Sequence, residues 1–547
     1  MKDDDEGARP WSKDIPEGPW DYAVIGSGMG GMTTAALLAK LGKRVLVLEQ
    51  HYVPGGFTHM FKRPGYRWDV GVHAVGEVTP HSLTGRILAA LTDRQLEWAS
   101  LGPVYDEFHF PDGYRVDFPD SPAQFRENLL EAFPDEREAI DAYLHLTRAV
   151  SKSMKSYYLA RMAPERVGRI TDRLLGRSAQ RYLGMRTSEV VAELTDDPKL
   201  RALFTAQWGY YGSVPSRSSF AIQALVVKHF LHGGYYPVGG ASQIARTLLS
   251  TVEKAGGWTV IRADVERILI EDGAARGVRL RDGREVRARH VVSAAGVAST
   301  VRRLLPAPHK DDTWAAEVER LPPAPAHVCL YIGFEGDIRQ AGASAANKWF
   351  YETWDMEAKG WEIDPDADDV GRAPVLYCSF PSLKDPAHEP GERVRHTGEV
   401  VTFVPWEVFE PWQGERWKKR VADYEALKKK LEARMLEQLL EHVPGLRPMV
   451  RHVELSTPVS TDHFVRPVQG SIYGIEPTPG RFTNRWLRPR APGKDLFFSG
   501  SEVATVGVIG AMMGGVLAAV SAEPIDAVRW LAPLVRGRAE DRGMLRG

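Results

Sequence analysis

Asp21-Tyr22-Ala23-Val24-Ile25, then Gly26-Ser27-Gly28-Met29-Gly30-Gly31 and the Ala/Leu-rich run Met32 to Leu41, decide the fold of this 547-residue chain. An apolar run, a glycine-rich turn and a small-residue helix make a buried strand–turn–helix unit. Gly26, Gly28 and Gly31 carry the G-x-G-x-x-G spacing. In that pattern the first glycine permits a tight turn, the second lets the backbone approach a pyrophosphate and the third lets helix and strand pack closely. Free N–H groups at the helix N-terminus attract the anion. Lys43 to Leu48 supplies a second parallel strand ending in Glu49, 18 residues after Gly31, where a carboxylate can accept both hydroxyls of an adenosine ribose. The unit predicts a dinucleotide-binding βαβ fold.

Pro54-Gly55-Gly56 directly follows the acidic strand end, and its glycines let the chain pass close to an extended cofactor, which points to FAD rather than NAD. Far along the chain, Val265-Glu266-Arg267-Ile268, the hairpin tip Leu280-Arg281-Asp282-Gly283-Arg284 and Val291 to Gly296 rebuild the same sheet after a long insertion. Asp495 to Glu502 then reads as strand, glycine and acid. The helix after it is expected to begin near Gly510 and Ala511, its N-terminus facing the anionic end of a reduced isoalloxazine.

Composition narrows the alternatives. A chain that is 43% hydrophobic, 10% aromatic and 26% charged can bury a large core, which excludes disorder, collagen and coiled coil. Seventy Lys+Arg against 71 Asp+Glu leave a net charge of -1, with no global attraction for nucleic acid. Cys329 and Cys378 stand far from each other and from any Cys/His cluster, so a disulfide scaffold, a zinc site and an iron–sulfur cluster are all disfavoured and no metal is expected. A reducing cytoplasm fits. The acidic start Met1-Lys2-Asp3-Asp4-Asp5-Glu6 lacks the pattern of a secretory signal, and residues 1–19 are expected to form a flexible solvated arm. Tyr22 to Ala39 and Val503 to Val520 each run 18 residues without a charge, long enough to cross a membrane, but the glycines in both argue for buried strand–turn–helix units instead.

Glu49-Gln50-His51-Tyr52-Val53-Pro54-Gly55-Gly56, Tyr66-Arg67-Trp68-Asp69-Val70-Gly71-Val72-His73 and the closing Phe498-Ser499-Gly500-Ser501-Glu502 with Gly507 to Gly515 resemble the phytoene desaturase family of FAD enzymes. The Glu-Gln-His and Asp-Val-Gly-Val-His strings are most similar to its carotenoid isomerase and retinol saturase branch. Tyr235-Tyr236-Pro237-Val238-Gly239-Gly240 and Phe380-Pro381-Ser382-Leu383-Lys384-Asp385-Pro386 are similar to further family strings, so the resemblance spans nearly the whole chain. It implies an α/β, Rossmann-like FAD-binding domain of the glutathione-reductase and amine-oxidase type at 20–115, 232–320 and 455–547. An α+β substrate domain from 116–231 and 321–454 would interrupt it. The implied cofactor set comprises Gly26, Gly28, Gly30 and Gly31; Glu49 and Gln50; Gly55, Gly56 and Gly71; Val265; and Gly500, Glu502, Gly510 and Ala511. Two residues depart from the pattern: Phe57 follows the double glycine where many relatives have a small residue or cysteine, and Glu502 stands where many have aspartate.

The resemblance implies saturation, desaturation or isomerisation of C=C bonds in a long lipophilic polyene, a carotenoid or retinoid, by hydride exchange at flavin N5. Chemistry on unsaturated fatty acyl chains is the neighbouring alternative, a flavin amine oxidase a weaker one, and a non-enzymatic prenyl-lipid carrier the reading from another class. One dinucleotide fingerprint is visible and no second, so no NADPH domain is expected and electrons come from an external donor or go to an external acceptor, unless the reaction is redox-neutral. His73 is the candidate proton donor, since imidazole acts near neutral pH; a hydrogen-bonded wall residue is the competing reading. The insert 116–231 is helix-like and aromatic and 325–405 alternates as strands, an arrangement expected to wall a large pocket while most of the aromatics serve as core. Between residues 147 and 186 ten Lys/Arg face only two acids, with apolar residues interleaved. This stretch is either a basic amphipathic segment lying peripherally on an anionic membrane or a solvated helix face. Residues 417–440 read as a long exposed amphipathic helix.

Overall fold

The computed structural model describes residues 9–162, 177–310, 312–358 and 360–537. The strand Trp20–Ile25 is covered on both faces and pairs in parallel with Val45–Leu48 on one side and Glu285–Ser293 on the other. Val45–Leu48 pairs onward with Trp258–Val260, and the end of Glu285–Ser293 with Leu496–Phe498, again in parallel. Five strands from distant parts of the chain thus build one parallel sheet, whose central segments 22–25, 45–48 and 291–293 carry no charge because both faces are covered. The first half of Glu285–Ser293 also closes an antiparallel meander with Ala274–Leu280 and Val265–Glu271.

The helix Met29–Lys40 packs against the helix Gly507–Ala522, and glycine makes the approach feasible. A Cβ on Gly30 would stand 2.4 Å from Gly500 Cα, one on Gly515 2.5 Å from Gly30 O, and one on Gly31 2.1 Å from Gly26 O. The uncharged runs are therefore glycine-spaced packing inside the protein. Among the described residues no helix is long and apolar enough to cross a membrane. Gly31→Ala is expected to cost about 1–3 kcal/mol of stability because a backbone carbonyl has to move. An unchanged thermal midpoint in the cofactor-free variant would contradict this packing.

The second sheet has the order Val450–Ser456, Ala326–Glu335, Arg395–Val404, Val375–Ser379, Asn347–Tyr351, Val104–His109, Arg115–Pro119. All neighbours are antiparallel except the parallel pair Asn347–Tyr351 and Val104–His109. Since Val104–His109 belongs here, the chain leaves the nucleotide unit before residue 104, earlier than the boundary expected after 115. The helix Ala422–His442 is not simply exposed: Tyr424, Leu427, Leu431, Met435 and Leu439 are buried against one face of this sheet. The other face meets the helical insert, where Trp208, Tyr211, Phe220 and Phe230 are all buried in one core. These rings serve as core, as expected for most aromatics of the insert. Among the described residues of this sheet, His327 and Val401 line the main cavity.

Two further expectations change. Residues 9–19 are no solvated arm: Ser12 N–H donates to Thr259 O at 3.1 Å and Ile261 N–H to Ser12 O at 2.8 Å, so this segment covers the outer edge of the parallel sheet. In the basic stretch, the helix Arg137–Met162 buries Val150, Met154, Tyr157 and Arg161 and exposes Arg148, Lys152 and Lys155. The Arg161 guanidinium donates to Phe482 O at 2.7 Å and Asn484 O at 2.5 Å, a structural task. Arg166, Arg169 and Arg173 lie outside the described residues.

Candidate active site

A cavity of about 640 Å³ opens at the carboxyl ends of the parallel strands, where doubly wound sheets bind their ligands. Gly26, Gly28, Glu49 and Gln50 line one end, and His73, His327, Val401 and Tyr473 line the other. Gly26, with φ +91°, makes the turn that Cβ-bearing residues resist. Gly28 differs from its neighbours. A Cβ there would meet nothing within 4 Å, and its φ of -65° suits any residue, so the reason for glycine must lie in what enters the cavity. Behind it the helix Met29–Lys40 starts without a side-chain cap, its N–H groups free for an anion.

Glu49 is buried, and its carboxylate is partly engaged by its own chain: it accepts from Ser27 N–H at 2.9 Å, Ser27 Oγ at 2.6 Å and His51 N–H at 2.7 Å. The Ser27 hydroxyl accepts in turn from Gly55 N–H at 3.1 Å, so one serine that sequence reasoning passed over ties the glycine turn, the acidic strand end and the double glycine together. Gln50 Nε2 donates to Phe464 O at 3.0 Å while lining the cavity. Gly30, Gly55, Gly56, Gly71, Val265, Gly500, Glu502 and Ala511 also line it, but Gly31 and Gly510 do not. Gly31 serves helix–strand packing. Gly510 is corrected: the helix after Glu502 runs Gly507–Ala522, starting three residues earlier than expected, so Gly507 and Val508 stand at the cavity and Gly510 packs on Thr505 O, 2.1 Å from where its Cβ would be.

Glu502 uses its extra methylene to bridge segments. It accepts from Val297 N–H at 2.5 Å, Ala298 N–H at 3.1 Å and Ile475 N–H at 3.1 Å. Glu502→Ala would strand these donors in the interior, at about 1–3 kcal/mol for each one left unpaired. A fall in the thermal midpoint of the cofactor-free protein, larger for Ala than for Gln, is the expected reading.

His73 lies beside the second sheet. Its Nδ1 is 2.9 Å from Glu399 Oε2, and its ring stands edge-on to Tyr377 at 5.1 Å. Burial, aided by the Lys384 ammonium, pushes the His73 imidazole down to about 3. Lys384 is itself buried, donating to His73 O at 2.7 Å, Ser379 Oγ at 2.6 Å and Asn347 Oδ1. Burial lowers it to about 7, against the pull of Glu399, Asp106 and Asp69. Asp69 accepts from Tyr236 OH and from Ala241 N–H at 3.1 Å, and burial raises its carboxyl well above the usual range. Sequence reasoning quoted the strings holding Lys384 and Asp69 without a role for either and missed Glu399, because a charge in an apolar strand shows its significance only once its neighbours are known.

An open glycine cradle at an uncapped helix N-terminus, a carboxylate at the second strand end and a second helix N-terminus beyond them form a set suited to FAD. Gly28 and the first helix would meet the pyrophosphate, Glu49 the adenosine, and Gly507 and Val508 the isoalloxazine end. Residues 29–522 match the family model described as flavin containing amine oxidoreductase. The chain is 33% identical over 523 residues to an all-trans-retinol 13,14-reductase of Danio rerio, covering 91% of this chain and 85% of that one. It is 26% identical over 480 residues to prolycopene isomerase 1 of an Oncidium hybrid cultivar, covering 84% and 76%. Among solved structures, putrescine oxidase with bound putrescine superposes with a TM-score of 0.63 at 15% identity, covering 93% of this chain and 100% of that chain. With the cradle, the carboxylate and the two helix N-termini in place and the family model matched across both domains, the chain belongs to the flavin-containing amine oxidoreductases and is an FAD-dependent oxidoreductase.

Proposed function

We propose that this enzyme saturates a C=C bond of a long lipophilic polyene of the retinoid or carotenoid class. The observation that carries the reading is the character of the cavity beyond the cofactor cradle. Phe57, Val70, Val401, Ile472, Tyr473 and Val508 line that end, with His73 and His327 as its imidazoles, and burial holds both imidazoles neutral near pH 7. Such a wall accepts an uncharged hydrocarbon and penalises a cationic amine, whose desolvation would go uncompensated. The name of the relative at 33% identity supports saturation ahead of isomerisation.

Bound FAD supplies the hydride chemistry. The chain's own residues provide the rest. Gly26, Gly28, Gly30, Glu49, Gln50, Gly55, Gly56, Gly71, Val265, Gly500 and Ala511 hold the cofactor, Gly31 and Glu502 hold the segments around it, and the apolar wall excludes water. His73 sets a ring nitrogen toward the substrate as proton donor. Electrons come from an external donor. The exposed Arg148, Lys152, Lys155 and Leu159 form a face suited to an anionic lipid surface, from which such a substrate would be drawn.

The test is anaerobic reduction of the FAD-loaded protein with dithionite, followed by all-trans-retinol presented in neutral or anionic vesicles. Loss of one conjugated double bond, read as a blue-shifted spectrum and a two-hydrogen mass gain, is expected, faster from anionic vesicles. Unchanged retinol and carotenoid alongside a reduced fatty acyl chain would move the reading to acyl chemistry.

A further inference from the structure

His73 presents a chemical problem if it gives a proton to substrate. A neutral imidazole is a very weak acid, and it can release the proton on one nitrogen only if another arrives at its second nitrogen. The second nitrogen, Nδ1, is buried and faces Glu399 Oε2 at 2.9 Å. Nδ1 holds no aligned hydrogen bond, so a small ring rotation would join it to Oε2, while the Asp69 backbone N–H also acts on the Glu399 carboxyl and favours its anion. With Nδ1 committed there, Nε2 is the nitrogen left for the cavity that His73 lines.

We propose that Glu399 is a buried carboxylic acid that supplies the proton His73 delivers, with Lys384 placed to balance the charge it leaves behind. The proposal rests on the reading of His73 as donor. In the step the Glu399 O–H bond breaks and an Nδ1–H bond forms, while the Nε2–H bond breaks and its proton goes to the substrate carbon. The imidazole starts and ends neutral with its tautomer exchanged. Glu399 ends as a carboxylate, its negative charge met by Lys384.

The surroundings fit that cycle. Glu399 sits in the middle of the strand Arg395–Val404, fully buried, with Tyr331 and Ser379 directly opposite it on the two flanking strands. Lys384 and Asp69 act on it from the neighbouring helix and hairpin, and Cys329 feels its charge from the flanking strand. Burial raises Glu399 well above the usual carboxylate range and the Lys384 ammonium opposes the rise, the balance a group needs if it is to be acid before the step and anion after it.

The test uses the FAD-loaded full chain and two readouts. Infrared spectroscopy at neutral pH is expected to show a protonated-carboxyl C=O band, sensitive to deuterium exchange, that is absent in E399Q and shifted in E399D. Turnover of all-trans-retinol under dithionite is expected to fall at least about a hundredfold in E399Q and to recover in part in E399D, with FAD content unchanged. A band that persists unaltered in both variants, or an E399Q enzyme as fast as the parent, overturns the proposal. If E399Q does not fold, an unshifted band in E399D overturns it alone. An inactive His73→Phe beside a fully active E399Q would sink only the Glu399 step, whereas an active His73→Phe would sink the donor reading itself. The infrared result stands even if retinol proves not to be the substrate.

Discussion

Gly28→Val is expected to yield a folded protein that no longer retains FAD. Glycines within three residues of one another differ in what an added side chain would meet. At Gly30 and Gly31 an added carbon collides with backbone, so substitution harms the protein before any ligand arrives. At Gly28 it collides with nothing, and the backbone conformation is open to every residue. Valine's carbons would instead occupy the cradle at the uncapped helix N-terminus, where the pyrophosphate must approach to hydrogen-bond distance. Affinity for FAD should fall at least about a hundredfold, equivalent to about 2.7 kcal/mol, while the thermal midpoint of the cofactor-free protein stays within a degree or two. Added FAD should then raise the midpoint of the parent protein and leave the variant's untouched. A variant that purifies yellow would remove Gly28 from the cofactor site.

His73→Phe should leave FAD bound and lower turnover by about 10²–10⁴-fold, the usual range for loss of a positioned proton donor. Phenylalanine keeps the ring and its edge-on contact with Tyr377, so binding and fold are expected to survive. The pH dependence is informative because burial, not the ordinary imidazole value, governs the site. His73 held down to about 3 cannot produce an acid limb at 6.5. Lys384, lowered to about 7, loses its charge above that point, so turnover should decline on the alkaline side as the cation beside Glu399 disappears. Stability follows a different sign. His51, His59 and His327 are lowered to about 4 and His73 to about 3, chiefly by burial, so as pH falls below about 6.5 the unfolded chain takes up protons that the folded one refuses. The thermal midpoint should therefore drop between pH 6.5 and 4, partly offset by Asp69 and Glu399, whose raised values act in the opposite direction.

The cofactor half of the molecule was legible because its determinants are local. Gly26, Gly28, Gly31 and Glu49 lie within one βαβ unit, and each is required by a constraint that acts over a few ångströms of nearby backbone. Ser27 escaped notice since serine in a glycine turn carries no distinctive signal. Its role appears only when Glu49 and Gly55 are brought to it. The start of the helix Gly507–Ala522 was misplaced by three residues because glycine spacing does not mark a helix start in the absence of a capping side chain.

The substrate half depended on contacts between distant segments. Residues 104–109 read as part of the first domain by position, yet they pair with 347–351 of the second sheet. The aromatic residues of the insert could be read as core, but which strands they pack against, as Trp208 and Phe220 do in one shared core with the second sheet, followed from the tertiary structure. The sequence by itself determined the FAD fold, the glycine cradle and the family, because short-range sterics and strand–turn–helix periodicity are written in adjacent residues. Only the tertiary structure decided that Asp69, His73, Lys384 and Glu399 meet in one buried cluster, because desolvation and proton affinity depend on what the rest of the chain folds around each charge.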